Sequence, residues 1–194
     1  MSFDLDTAKD RLGILDNSQD AEIQVMLDTA MAVAENYCDR KFEHGVEDEY
    51  FIYKTNESFP LIRYPIIVVN AANNEKGQKV ADNLYEIASE AGLLKFAGGY
   101  PYDCFSVNYE GGYITLPLDL ELALWSIFDK IYSQTQTSAG GGGIVVGGIE
   151  SVAITGVGSV KYSSGSDSST IGADNSLISS MAYSVLKKYV RVLS

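Results

Sequence analysis

The sequence predicts an α+β fold: a small α-helical core carrying an inserted antiparallel β meander and a β-hairpin. Three observations predict it. Apolar residues recur at three-to-four spacing in two long segments, 19–38 and 118–136. Between them, about 43–113 consists of short β-branched and aromatic runs separated by turn residues. After Gln136 the composition shifts to Gly and Ser, before a final apolar segment at 176–193. With 194 residues, the chain is long enough for a single domain, 1–194, with a real core.

The elements follow in order. Thr7-Ala-Lys-Asp10 resembles a capping box and starts a short helix near 7–12, which Gly13 ends. Asp16, Asn17 and Ser18 offer N-caps for the helix 19–38, whose stripe is Ile23, Met26, Leu27, Ala30, Met31, Ala34, Tyr37 and Cys38. Asp28 and Glu35 face away from it. The β-rich insertion carries strands at Tyr50–Tyr53, Ile66–Val69, Leu84–Ile87, Leu93–Phe96 and Phe105–Tyr109, with Pro60 and Pro65 bracketing the approach to Ile66. The acidic run Glu47-Asp48-Glu49 reads as a solvated loop.

Gly111-Gly112 is a tight turn into the long helix. Pro117 suits a first helical position, and Asp119 and Glu121 complement the positive end of the helix dipole. Leu120, Ala123, Leu124, Ile127, Phe128 and Ile131 form a wide apolar stripe. Trp125, the only Trp, lies off its middle. A core-rim position accounts for it; an inter-subunit contact is the sharper alternative. The Gly/Ser-rich arm, about 137–175, holds a β-hairpin from Ile149–Thr155 and Ser159–Ser163. Asp174, Asn175 or Ser176 caps a last helix that is apolar over much of its circumference and cationic at its end, through Lys187, Lys188 and Arg191.

Composition narrows the function. The net charge of −12 argues against gripping nucleic acid through phosphates, though an acidic wall lets DNA slide past. No apolar run reaches the roughly 20 residues of a membrane span, and the acidic N-terminus is no secretory signal. Cys38 and Cys104 read as reduced, buried thiols. His44, the only His, has no Cys or His at ligand spacing, so no metal is expected. Gly140–Gly143 lacks the Lys-Ser/Thr of a phosphate loop and reads as a linker. Neither catalytic residues nor a cofactor are expected; the weight falls on a binding or structural protein.

The order of motifs carries a resemblance. It runs from Arg11-Leu-Gly-Ile14, Asp16 and Asp20 through Ala34-Glu-Asn-Tyr-Cys-Asp-Arg-Lys-Phe42, Arg63-Tyr-Pro-Ile66, Val107-Asn-Tyr-Glu-Gly-Gly-Tyr113 and Leu116-Pro-Leu-Asp-Leu-Glu-Leu-Ala123. It ends in the pair Ile149-Glu-Ser-Val152 and Gly158-Ser-Val-Lys-Tyr-Ser163, then Leu186-Lys-Lys-Tyr-Val-Arg191. This series resembles the head–tail connector proteins, also called adaptor or head-completion proteins, of long-tailed double-stranded DNA bacteriophages. The resemblance implies a structural virion protein, assembled in the host cytoplasm. It implies a homo-oligomeric ring of about twelve copies under the portal. It also implies a stopper or tail protein on the far side and DNA passing through the lumen. The docking segment it implies is 176–194, with Tyr183, Leu186, Lys187, Tyr189, Val190 and Arg191 touching the portal. Two alternatives differ: a mostly β stopper or tail-terminator ring, or a small hydrolase using Asp103 or His44.

Overall fold

The computed structural model describes residues 2–52, 58–96, 104–138, 151–154, 158–161 and 177–191. The chain divides into two compact units: one from Phe3–Val33 and Glu121–Val185, the other from Ala34–Leu120 and Leu186–Ser194. The described residues hold four α-helices and antiparallel sheets, an α+β fold.

In the first unit, α1 (Leu5–Leu12) begins earlier than the motif at Thr7 suggests. Asp4 is its N-cap, and its carboxylate accepts the Thr7 N–H at 2.8 Å. Gly13, at φ +70°, ends it, with the Gly13 and Ile14 amides donating to Asp10 and Lys9 carbonyls. Most of α2 (Asp20–Cys38) and α3 (Leu118–Ser138) belongs here too. Every apolar position expected on the α3 stripe is buried, as are those of α2 except Tyr37, which is half-buried. Their apolar faces are wide enough that burial, rather than propensity, holds them helical. The arm contributes the hairpin β7 (Ser151–Ile154) and β8 (Gly158–Lys161), paired antiparallel as its sequence suggests. Residues 137 and 138 close α3; the rest of the arm, including Gly140–Gly143, lies outside the described residues, as does Asp103.

The second unit is built on two three-stranded sheets. Its strands are β1 (Gly45–Ile52), β2 (Ser58–Pro60), β3 (Ile66–Asn74), β4 (Tyr85–Ala88), β5 (Leu93–Phe96) and β6 (Cys104–Gly111). The sheet orders are β1-β6-β3 and β2-β5-β4. The insertion is therefore not a simple meander. The last strand, β6, lies between the first and third, with both edges paired, and its pleat buries Phe105, Val107 and Tyr109 on one face. Phe105 is the hub of the core, with ring centroids 4.7 Å from Phe59, 4.8 Å from Phe96 and 5.2 Å from Phe51.

The acidic run Glu47-Asp48-Glu49 is not a loop but the middle of β1. The pleat sends Glu47 and Glu49 inward. Glu47 accepts from Lys41 at 2.5 Å and Arg63 at 2.7 Å, and Glu49 accepts from the Tyr109 hydroxyl and, at 2.8 Å, from the Ile62 amide. Partial burial alone would raise the Glu47 pKa, but the Lys41 and Arg63 hydrogen bonds outweigh it and hold it below the usual 4.5.

After β6 the chain crosses Gly112 at φ +89°, where an added Cβ would lie 2.3 Å from the Glu43 carbonyl oxygen. Gly112→Ala is therefore expected to cost about 3 kcal/mol or more, or to prevent folding. Gly77→Ala, also at positive φ but facing open space, should cost only about 1 kcal/mol. Chemical denaturation of both variants checks the contrast.

Candidate docking site at the end of the chain

The end of the chain is two pieces, because residues 177–185 belong to the first unit and residues 186–191 to the second. The helix expected over 176–193 is shorter: α4 spans Ser180–Leu186. Its cap is Ser179, whose Oγ accepts the Ala182 amide at 3.1 Å and lies 2.8 Å from the Ser126 Oγ. Asp174, Asn175 and Ser176 lie outside the described residues. In α4, Ala182 is buried while Met181 and Tyr183 are about half exposed.

Beyond Leu186 the helix stops although no Gly or Pro intervenes. The side chains there find better partners than a further turn would offer. The Tyr189 amide donates to the Leu186 carbonyl at 2.8 Å, and the Arg191 amide to the Cys38 carbonyl at 2.8 Å. The Cys38 thiol donates to the Leu186 carbonyl at 3.4 Å. The Tyr189 hydroxyl donates to Asp119 Oδ1 at 2.5 Å, and its ring meets Phe42 edge-on at 6.0 Å. The Arg191 Nη2 and Nε donate to Asp39 Oδ2 at 2.7 and 3.1 Å. Lys188 Nζ lies 3.6 Å from Asp119 Oδ2.

Both receiving aspartates are fixed by local geometry. Asp39 follows the last residue of α2 at φ +50°, the left-handed conformation that closes a helix and that Asp tolerates. The Arg40 amide completes that cap on the Glu35 carbonyl at 3.2 Å. Glu35 does not face away as expected; it turns to accept the Phe42 amide at 2.8 Å. Asp119 sits in the first turn of α3, where its Oδ1 also accepts the Leu120 amide at 3.0 Å. The hydrogen bond from Tyr189 is the main reason the Asp119 pKa lies below the ordinary 3.8; partial burial opposes it. Burial and the Asp119 carboxylate push the Tyr189 hydroxyl upward. Burial also raises the Cys38 thiol to about 12, so it is a packing group rather than a nucleophile. Cys104 is free and half-buried.

The residues nominated from the sequence thus divide. Leu186 is fully buried, and Tyr189 and Arg191 are engaged within their own unit. Lys187 and Val190 are exposed in the second unit, and Tyr183 in the first. Trp125 is 3 % exposed, with the Phe3 ring 4.8 Å away and the Arg11 guanidinium 4.6 Å above it. It packs against residues of its own unit. The sequence reading missed Asp39 and Asp119 as anchors; nothing local marks them, since their partners lie 152 and 70 positions away. Exposed His44 pairs with Glu110 at 2.6 Å. Among the described residues no group of three His, Cys, Asp or Glu side chains stands together as metal ligands would.

This architecture has known counterparts. The head completion protein (HCP) family model matches residues 3–151. The chain belongs to the head completion protein family. Among solved structures, a chain from the virion of a native gene transfer agent particle superposes with a TM-score of 0.57 at 12 % identity, covering 92 % of this chain and 81 % of that one. A chain from the neck of an empty gene transfer agent particle gives 0.52 at 17 % identity, covering 61 % and 70 %. No curated protein matches the sequence. As a head completion protein it is a structural component of the virion and not an enzyme.

Tyr189→Phe removes one hydrogen bond to a carboxylate and should lower unfolding stability by about 1–2 kcal/mol. Because the folded Asp119 pKa is depressed, that contribution is fully present above about pH 4 and fades as pH falls below it. Denaturant unfolding of wild type and variant from neutral to acid pH should show the two curves converging.

Proposed function

We propose that this head completion protein forms a homo-oligomeric ring of roughly a dozen copies between the portal vertex and the stopper or tail, with DNA passing through the lumen. The single observation that carries this reading is the family match over residues 3–151. Net charge supports the conduit: a chain of −12 repels phosphates and does not retain DNA.

The portal-facing element is the end of the chain. Leu186, Tyr189 and Arg191 hold it, and Lys187 and Val190 meet the portal; Tyr183, in the first unit, is a separate contact. This assignment refines the expectation that all six residues make the contact, because three of them already have partners within the chain. A ring needs two different sticky faces on each subunit. Tyr50, Ile52 and Val46, exposed along β1, and Leu15, fully exposed after α1, are apolar surface available for such contacts.

Native mass spectrometry of the purified protein, alone and with the portal of the same virion, tests the reading. A ring of roughly a dozen copies, alone or on the portal, is the expected result. A monomer that ignores the portal at high concentration overturns it. In the same assay, Lys187→Glu combined with Val190→Asp should weaken portal binding by about tenfold or more while leaving thermal unfolding within a few degrees of wild type.

A further inference from the structure

The chemistry of the partner surface can be read from the same segment; this step rests on the docking reading above. Lys187, Lys188 and Arg191 put three cations into five consecutive positions of a chain whose net charge is −12. Two are answered from within. Arg191 is held by Asp39 at 2.7 Å, and Lys188 stands 3.6 Å from Asp119. Lys187 is exposed and has no ion-pair partner among the described residues, and Val190, three positions on, is 39 % exposed. The backbone between them is already fixed by the amides of Tyr189 and Arg191.

We infer that the segment 186–191 docks on an acidic protein surface with a shallow apolar notch, and that Asp39 and Asp119 are positioning residues that hold the segment ready for it. The charge argument is one of contrast. The net charge of this chain repels an acidic partner while the cationic segment attracts it, which favours one orientation as well as attraction. The exposed apolar Val190, three positions from the cation, favours protein over a nucleic-acid backbone, which offers charge without a notch. The two carboxylates remove the ordering cost before docking, since a segment already in its bound conformation binds more tightly than one that must be ordered on contact. Neither aspartate touches the partner. Each acts through Tyr189 or Arg191.

The test uses the full-length protein and the portal ring of the same virion, at low and high salt, with amide hydrogen exchange of the free protein read in parallel. Lys187→Glu should weaken binding about tenfold at low salt and flatten its salt dependence, while Lys187→Arg keeps both. Asp39→Asn and Asp119→Asn should each speed exchange at the Tyr189 and Arg191 amides and weaken binding several-fold. Faster exchange with unchanged or tighter binding overturns the positioning role. Unchanged or tighter binding by Lys187→Glu overturns the acidic partner. Salt-dependent binding of duplex DNA by wild type that Lys187→Glu abolishes assigns the cation to phosphate and overturns it too. Wild type that binds no portal removes the docking reading itself, and is distinguishable because no variant then differs from it.

Discussion

The backbone at Gly111-Gly112 runs so close to two other segments that no side chain fits between them. A Cβ at Gly111 would lie 2.5 Å from the Arg63 carbonyl oxygen, and one at Gly112 2.3 Å from that of Glu43. Three stretches distant in sequence are joined there. The Gly112 amide donates to the Pro65 carbonyl, and the Tyr113 amide to that of Phe42, at 2.9 and 2.8 Å. This junction ends the central strand β6, sets where α3 begins, and so places Asp119 where Tyr189 meets it. A glycine pair read from sequence as a permissive turn is here a steric requirement.

The same corner is held electrostatically by carboxylates turned inward. Arg63 bridges the Glu43 carbonyl and the Glu47 carboxylate, and Lys41 adds a second cation to Glu47. An inward charge on an edge strand is costly unless paired, and here it is paired and hydrogen-bonded. Inward charges also discourage the edge of β1 from recruiting another strand. That matters for a protein presenting exposed Val46, Tyr50 and Ile52 along that strand. The arrangement keeps the apolar row available for a specific contact while disfavouring indiscriminate sheet growth.

What was legible in the sequence follows the range of the forces involved. The stripes of α2 and α3 are local and periodic, and nearly every expected position is buried. Gly13 and the hairpin β7–β8 are equally local. Strand existence was readable for β3 to β6 and for the end of β1, but strand order was not. That β6 inserts between β1 and β3 depends on pairings distant in sequence, from Asn74 with Phe105 to Gly45 with Gly111. The run Glu47-Asp48-Glu49 misled because composition reports polarity, while partners at Lys41, Arg63 and Tyr109 decide burial. The final helix misled for the same reason. Its periodicity continues to Leu193, yet Asp119 and Asp39 offer Tyr189 and Arg191 partners that a straight helix would forgo.

The proposed docking site stands on different ground from the family assignment. The family match ends at residue 151, before α4 and the segment that follows it. Membership therefore says that the chain is a structural virion protein, and says nothing about which of its residues meet a partner. The local geometry supplies that part of the argument. Leu186 is buried, Tyr189 and Arg191 are fixed by carboxylates of their own unit, and the intervening Lys187 and Val190 remain at the surface. A mobile tail would have to be ordered by its partner and would lose affinity in doing so. A segment fixed at Leu186, Tyr189 and Arg191 has already met that cost in its own folding, so in the proposed docking the partner has only to complement one cation and one apolar side chain.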